Sequence, residues 1–167
     1  MTDRPIEPGD PFYDRRALSE RMSVPAEIED LIAGAALSAH LATTVDDRPH
    51  VAPVWYGYDD GIVSTLTGGR KLENCRRNQR VAVSIERLRE GDPVWMVAMQ
   101  GTAEIVEDAG RIEAARERIF PKYRDRETDS HEADSHETDG GEDDAGSGGS
   151  SNALIEVSIG SATLQRY

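Results

Sequence analysis

Hydrophobic and polar residues alternate along six stretches of the chain, and this period of two predicts β-strands. The stretches are 40–45, 50–58, 62–67, 80–86, 94–107 and 153–167. Segments rich in Asp, Gly and Pro at 46–49, 59–61 and 91–93 are typical of the tight turns that join antiparallel strands. Six strands with few helices and short turns favour an antiparallel barrel.

The hydrophobic spacing changes to three or four residues in three places, which predicts helices. One helix is predicted within residues 25–39, with Pro25 suited to its first turn. Its apolar residues are Ile28, Leu31, Ile32, Ala35 and Ala36. A short second helix begins near Arg70 and has Leu72 and Cys75 on one face. A third follows residue 107, with Ile112, Ala115 and Ile119 on one face, and Pro121 is expected to end it.

Two residues inside the predicted strands indicate local irregularities. Pro53 has no backbone N–H to donate, so it predicts an edge strand, a bulge or a place where a ligand replaces the partner strand. Gly101 predicts a bulge or a close approach of another backbone.

The domain organisation is predicted to be a polar N-terminal arm, residues 1–22, followed by one domain, residues 23–167. An acidic insertion, residues 124–151, interrupts that domain and contains ten Asp or Glu but two Arg and no large apolar residue. It cannot bury enough surface to fold, so we expect it to be disordered. Its His131 and His136 lack fixed geometry, and we predict no metal site there.

The formal net charge of −13 disfavours nucleic-acid and membrane partners, because both carry negative charge. The same excess of acidic residues is expected of a protein adapted to a high-salt cytoplasm. That hypothesis predicts folding in molar KCl and loss of the circular dichroism signal on dialysis to low salt. The N-terminal residues have no apolar core typical of a secretory signal, so a cytoplasmic location is expected. With Cys75 as the single cysteine, the chain has no internal disulfide.

A basic cluster stands out in this acidic chain, directly after a predicted strand and the pair Gly68 and Gly69. Its members are Arg70, Lys71, Arg76, Arg77 and Arg80. Arg70 and Lys71 fall at the start of the second helix, where unpaired N–H groups and the helix dipole favour a phosphate. Ser64 and Thr65 on the preceding strand could add hydroxyl donors. From spacing alone, a cluster that only solvates a helix surface is an equal alternative.

Aromatic residues are few, at 5% of the chain, yet Trp55, Tyr56 and Tyr58 lie just before the basic cluster. Such rings, with Trp95 on a later strand, could form walls for a flat heterocycle. The alternative is that Trp55 and Trp95 are core residues, and the sequence leaves both open.

The order of these features resembles the pyridoxamine 5′-phosphate oxidase-like, FMN-binding split β-barrel family. The resemblance extends from about Leu41 to Ile85 and, more weakly, through "QGTAEIVE" to "IFPKY". It depends on residues 47–56, the hairpin "DDG", the "T…GGRK" run and "NQRVAVSI" taken together. The family implies a mainly β fold, an antiparallel split β-barrel of Greek-key type with two or three flanking helices. It also implies a homodimer with FMN at the subunit interface.

By position, the resemblance implies that ten residues bind the cofactor. Arg70 and Lys71 would bind the FMN phosphate with support from Ser64 and Thr65. The remaining six would run past the ring and the ribityl chain: His50, Val51, Ala52, Pro53, Val54 and Trp55.

The implied activity is that of a flavin-dependent oxidoreductase acting on a small molecule. The pyridoxamine phosphate oxidases proper tend to have basic residues where this chain has His50 and Trp55, and the C-terminal tail offers only Arg166. These departures argue against pyridoxamine phosphate and leave the substrate, the electron donor and the catalytic residues open. Two alternatives remain: a reductase using a deazaflavin, with Arg76, Arg77 and Arg80 as additional cations, and a flavin- or haem-binding module without turnover.

Overall fold

The structure is a computed structural model that describes residues 24–129 and 153–167, and for residues 125–129 it describes the backbone alone. The predicted N-terminal arm and most of the predicted acidic insertion lie outside the described residues. The described helices are α1 (Ala26–Ile32), α2 (Gly69–Arg77) and α3 (Ala109–Asp129). The strands are β1 (Ala39–Val45), β2 (Arg48–Val54), β3 (Gly57–Asp59), β4 (Ile62–Thr67), β5 (Arg80–Arg89), β6 (Asp92–Val106) and β7 (Ala153–Arg166).

All seven strands form one antiparallel sheet in the order β2-β1-β5-β6-β7-β4-β3. β2 and β3 are the two opposite edges, yet only Trp55 and Tyr56 connect them. Three residue steps of extended chain span at most about 11 Å, whereas the edges of a flat seven-stranded sheet are about 29 Å apart. The sheet must therefore curl until its edges approach, and it stays unclosed between them. This confirms the mainly β, split-barrel fold class with three flanking helices.

The concave side of the sheet holds the core. Val81, Val83 and Ile85 of β5 are buried there, as their alternation predicted. Ile155, Val157 and Ile159 of β7 are also buried, in agreement with the sequence pattern. A second group packs α3 against the ends of β6 and β7: Val106, Ala115, Ile119, Tyr123 and Leu154.

The predicted irregularities are confirmed. Pro53 lies on β2, an edge strand that pairs only with β1 among the described residues. The register of β6 with β7 shifts between Gln100 and Gly101. A Cβ at position 101 would overlap the Ser158 carbonyl oxygen and lie 2.8 Å from a methyl of Val157, so a close approach requires glycine.

The first helix is shorter than predicted. α1 ends at Ile32, so Ala35 and Ala36 lie beyond it. The Tyr56 hydroxyl donates to the carbonyl of Ile32 at 2.7 Å and lies 3.3 Å from that of Ala35. It thus satisfies an acceptor that the helix end leaves free.

The prediction that Pro121 ends the third helix is wrong, because α3 continues through it to Asp129. Pro121 lies on the exposed side, where water can satisfy the carbonyl that loses its partner. Ile119 and Tyr123, both 1% exposed, anchor the helix on either side of it. Residues 124–129, which the sequence analysis assigned to the insertion, are consequently helical.

None of the described helices combines the length and apolar character needed to cross a bilayer.

Candidate functional site

A groove opens where the two edges of the sheet approach each other. It has a volume of about 240 Å³. Its walls come from the end of β2, the end of β4, and helices α2 and α3: Pro53, Val54, Trp55, Leu66, Thr67, Lys71, Ile119 and Phe120. Apolar walls with a single cation are the usual composition of a site for a flat, partly charged ligand.

The start of α2 lies at this groove, because Thr67 and Lys71 on either side of it both line the walls. Gly69 has φ +59°, in the left-handed region, with open space where a Cβ would stand. Glycine therefore permits the turn from β4 into the helix. The N-cap residue is Gly68, which has no side chain to accept hydrogen bonds from the first N–H groups of the helix. These backbone N–H donors are therefore presented beside the Lys71 ammonium.

Trp55 forms the aromatic wall of the groove and is 40% exposed. Its indole stacks on the Tyr123 ring with 4.8 Å between centroids and an interplanar angle of 3°. The Phe120 ring meets it edge-on at 6.3 Å. Two aromatic contacts from α3 thus fix the orientation of an exposed indole, which is the condition for a preformed stacking surface.

Hydrogen bonds hold the Trp55–Tyr56 link outside the β-ladder. Thr65 Oγ1 donates to the Trp55 carbonyl at 2.8 Å, and the Tyr56 N–H donates to Tyr123 Oη at 3.2 Å. Tyr123 in turn donates to the Leu37 carbonyl at 2.7 Å. The break between β2 and β3, which the sequence analysis treated as one strand, places Trp55 at the groove.

The structure brings together four of the ten predicted cofactor-binding residues. Pro53, Val54, Trp55 and Lys71 all line the groove. Trp95, the other candidate aromatic wall, is buried in the core and does not contribute.

Three further residues of the prediction lie close in sequence but outside the groove lining. Arg70 is exposed on the surface of α2. Ser64 and Thr65 are 1% and 2% exposed, and the Thr65 hydroxyl is bonded to the Trp55 carbonyl. Thr65 therefore supports the groove from behind its wall.

The remaining three residues lie further along β2. Val51 points to the convex side and is 64% exposed, while His50 and Ala52 are half-buried on the opposite side. His50 pairs with Thr43 across the strands, and its Nδ1 is buried without a hydrogen-bond partner among the described residues. Cofactor binding by all ten residues stays a prediction.

Sequence reasoning missed the contribution of α3. Ile119 was assigned to a helix face, but nothing local indicated that Ile119 and Phe120 form a groove wall or that Tyr123 stacks on Trp55. The family resemblance at "IFPKY" was the one available signal.

Lys122 lies behind the aromatic wall, on the side of α3 that meets the end of α1. Its Nζ is 3.6 Å from the centroid of the Tyr56 ring and 3.4 Å from the Ala33 carbonyl oxygen. Burial lowers the pKa of this amine to about 8. Burial also raises the pKa of the Tyr56 phenol, which stays neutral in the same range.

The fold has relatives among solved structures. An FAD-binding protein from Mesorhizobium loti is 21% identical, with a TM-score of 0.59 over 84% of this chain and 94% of that one. An FAD-binding protein from Mycobacterium smegmatis is 18% identical, with a TM-score of 0.57 over 86% and 95%. An F420 reductase is 20% identical, with a TM-score of 0.56 over 84% and 98%. At these identities the similarity shows the fold alone.

Sequence comparison identifies the family of the chain, whereas the structural similarities identify its fold alone. A comparison with curated proteins found no match. A sequence model described as pyridoxamine 5′-phosphate oxidase matches residues 25–142, more than half of the 167 residues. The chain therefore belongs to the pyridoxamine 5′-phosphate oxidase family.

Proposed function

We propose that the protein is a homodimeric flavin-dependent oxidoreductase that binds FMN at the groove between the sheet edges. The observation that carries the proposal is the convergence of Trp55, Lys71 and the start of α2 on one groove. Bound FMN would supply the hydride or electron transfer, and the substrate stays unassigned.

The phosphate end of the cofactor fits the start of α2. Lys71 provides a point charge and the first turn of the helix provides N–H donors, two independent sources of attraction for a phosphate. Arg70 is exposed one residue earlier and adds to the local positive field without lining the groove.

The ring end fits the Trp55 wall. Tyr123 and Phe120 already fix the indole, so a flat heterocycle could stack without first ordering it. The groove of about 240 Å³ is, however, smaller than the 300–1,000 Å³ typical of ligand pockets. A single chain therefore offers only part of the site, and a second surface is needed to complete it.

The convex side of the sheet offers such a surface. Two cross-strand rows span β2, β1, β5, β6 and β7, and we call these ten residues the convex face. The first row is Val51, Ala42, Ala82, Gln100 and Ser161, and the second is Pro53, His40, Ser84, Ala98 and Thr163.

The convex face is exposed or half-buried, and it contains no Asp, Glu, Lys or Arg, although such residues make up 31% of the chain. Absence of charge at the centre is typical of interfaces, and a chain of net charge −13 repels its own copies elsewhere. Pro53 belongs both to this face and to the groove wall. We infer that a second copy packs on the convex face and closes the open side of the groove.

Cofactor binding is tested with the purified protein and FMN. We expect a yellow protein with an absorbance band near roughly 450 nm. Titration of fluorescence should show weaker binding when Lys71 is replaced by Met. A protein that stays colourless after reconstitution with FMN would contradict the proposed function.

The dimer is tested by adding a charge at the centre of the convex face. Ala82→Glu should give a monomer by light scattering and lose FMN affinity, because each copy would bury an unpaired carboxylate in the interface. Ala114→Glu makes the same change on the exposed side of α3 and should leave both properties unchanged. A monomeric wild-type protein that still binds FMN would contradict the proposed dimer but not the proposed FMN site.

A deazaflavin cofactor is the second candidate. Arg80 lines a separate depression of about 320 Å³ on the convex side, with Thr44 and Gly101 among its neighbours. Arg77 is engaged by Asp46 at 2.7 Å, and Arg76 is exposed on α2 outside this depression, so Arg80 is the best placed of the three cations for an acidic cofactor tail. Parallel titrations with FMN and a deazaflavin decide between the two cofactors.

Bound flavin that no nicotinamide donor reduces would instead indicate a flavin-binding module without turnover.

A further inference from the structure

Strand β5 has a cation at one end of the convex face and a carboxylate at the other. It is the middle one of the five strands that form this face, to which it contributes Ala82 and Ser84. Residues two apart on a strand share a side, so Arg80 and Glu86 continue the same line beyond the face, and both are exposed. An uncharged pair on β5 is therefore flanked by opposite charges at equal spacing.

The neighbouring strands add no charge at either end. The cross-strand neighbours on β6 and β7 are Thr102 and Ser158 beside Arg80, and Met96 and Gln165 beside Glu86. Among the described side chains, neither Arg80 nor Glu86 forms an ion pair. Both charges can therefore meet a partner that packs on the convex face.

A second copy can align its β5 with this strand in two ways. Sheets that pack face to face in the aligned manner keep their strands within about 30° of each other. In a two-fold dimer, an axis along β5 makes the two β5 strands parallel, and an axis across β5 makes them antiparallel. Parallel strands place Arg80 opposite the partner's Arg80 and Glu86 opposite the partner's Glu86. Antiparallel strands place Arg80 opposite the partner's Glu86 at both ends.

We propose that two copies pack with their β5 strands antiparallel and that Arg80 of each copy forms an ion pair with the partner's Glu86. The proposal rests on the convex-face dimer proposed above and adds its orientation. Two identical pairs result, because the symmetry axis repeats each contact. Like charges placed opposite each other are costly at an interface, so the parallel alignment is disfavoured at both ends.

The dimensions of packed sheets agree with this arrangement. Arg80 and Glu86 each lie three residues from Val83, which is about 10 Å along the strand, and packed sheets are also about 10 Å apart. A crossing angle of 30° would displace the paired ends sideways by only about 5 Å, whereas orthogonal sheets would separate them by about 14 Å. An arginine and a glutamate side chain together can bridge the gap between aligned sheets, but not the larger one.

The ion pairs are expected to set the orientation of the copies more than the strength of their association. Charges at the edge of an interface steer and select partners, while its uncharged centre supplies most of the affinity. Two copies with a net charge of −13 repel each other overall, so local attraction at these two points matters for approach. Arg80 engaged in this way is not available to an acidic cofactor tail, so the arrangement favours FMN over a deazaflavin.

Charge reversal tests the arrangement in the full-length protein. Arg80→Glu would set carboxylates against each other at both ends of the dimer, and Glu86→Arg would set cations against each other. Each variant should dimerise at least about 100-fold more weakly than the wild type, as measured by light scattering over a concentration series. Arg116→Glu and Glu117→Arg make the same changes of charge on the exposed side of α3 and should leave dimerisation unchanged.

Mixing the two variants gives the sharper result. An equimolar mixture of Arg80→Glu and Glu86→Arg should form heterodimers, because opposite charges then meet at both ends. Native mass spectrometry separates these heterodimers from both homodimers by mass. The double variant Arg80→Glu/Glu86→Arg should form homodimers again. Circular dichroism selects a buffer in which the wild type and all variants are folded.

The outcomes separate the orientation from the dimer itself. A wild-type dimer that persists in both single variants would overturn the orientation and leave the convex-face dimer and the FMN site in place. Two monomeric variants whose mixture stays monomeric would also overturn it, because the two charges would then not lie opposite each other. A monomeric wild type would overturn the proposed dimer and its orientation together.

Discussion

The two helices that form walls of the groove, α2 and α3, are attached to the sheet by different means. α2 and the residue that follows it are bonded to β1 through polar side chains. Asn74 Nδ2 donates to Thr43 Oγ1 at 2.9 Å, and Asn78 Nδ2, at the C-cap, donates to the Thr44 carbonyl at 2.9 Å. α3 is held by the buried ring and hydroxyl of Tyr123. Charge at the groove is thus supplied by a helix with modest core packing, whereas the aromatic wall depends on the core. We expect changes on α3 to affect folding first, and changes on α2 to affect binding first.

The largest effect is expected from truncating the anchor of α3. Tyr123→Ala removes a fully buried ring, its stacking on Trp55 and its bond to Leu37, so the free energy of unfolding should fall by about 3–5 kcal/mol. Urea denaturation followed by circular dichroism measures this. Asn74→Ala, the comparable change on α2, should cost about 1 kcal/mol because it removes one half-buried hydrogen bond.

Tyr123→Phe separates the hydroxyl from the ring. The ring and its stacking remain, but the Leu37 carbonyl and the Tyr56 N–H lose a partner, which should cost about 1–3 kcal/mol. A loss below about 0.5 kcal/mol would mean that the hydroxyl does not hold the Trp55–Tyr56 link in place, and the proposed distinction between the helices would fail.

The second prediction concerns the charge supplied by α2. Lys71→Met should weaken FMN binding about tenfold, or about 1.4 kcal/mol, with little change in stability, because the ammonium lines the groove but does not anchor the helix. Arg70→Met should weaken binding less than threefold, since this residue is exposed outside the groove.

Arg89→Met, on the hairpin between β5 and β6, is the matched control for loss of a cation and should have no effect on binding. If Arg70→Met proved more harmful than Lys71→Met, the phosphate would lie outside the groove described here. Fluorescence titration of all three variants decides this.

The contrast between the helices also explains what the sequence could predict. The span and the buried residues of α2 follow from contiguous residues: a glycine pair, basic side chains and the apolar pair Leu72 and Cys75, both found buried. The strands could be located for the same reason, since their period of two is local. Charge and periodicity were thus sufficient to predict that Lys71 lies in the first turn of α2.

The aromatic wall could not be derived in this way. Trp55 meets Tyr123 across 68 positions of sequence, and only the curled sheet brings them together. Pro121 gave a local stop signal that the burial of Ile119 and Tyr123 overrides. Serine and threonine hydroxyls look equally available in a sequence, so the burial of Ser64 and Thr65 was not visible either.

A third, smaller effect concerns the contact of α3 with the end of α1 through Lys122. Its pKa of about 8 in the folded protein lies below the ordinary value of about 10.4, so the unfolded chain binds more protons between these values. The free energy of unfolding should therefore rise with pH across this window. Because the side chain is partly exposed, we expect a gain on the order of 1 kcal/mol.

Cys75, on the buried face of α2, has the opposite effect on the pH dependence of stability. Burial raises its pKa to about 11, so the unfolded chain loses this proton first and stability falls as the pH rises. The difference between wild type and Lys122→Arg cancels the cysteine contribution. That difference should grow in favour of the wild type from pH 8 to pH 10 in urea denaturation, and a constant difference would exclude titration of Lys122 in this window.

The smallest effects are expected at two exposed ion pairs, one on each helix. Arg77 of α2 pairs with Asp46 at 2.7 Å, and Arg118 of α3 pairs with Asp59 at 3.0 Å. Exposed pairs of this kind contribute about 0.2–1 kcal/mol, and salt weakens them. Arg77→Ala should therefore cost at most about 0.5 kcal/mol, and molar KCl should abolish the loss.

Arg118→Ala should cost slightly more, because the side chain contributes packing as well as charge. A Cβ built on Gly57 would lie 3.1 Å from the Arg118 Cδ and 3.2 Å from its Cγ, which shows that these methylenes cover the start of β3. Arg118→Met keeps the methylenes and should restore most of the loss, whereas Arg77→Met should behave like Arg77→Ala. If Arg118→Met and Arg77→Met regained the same stability relative to their alanine variants, the exposed side chains of the two helices would contact the sheet in the same way. The helices would then differ only in their buried contacts with the sheet.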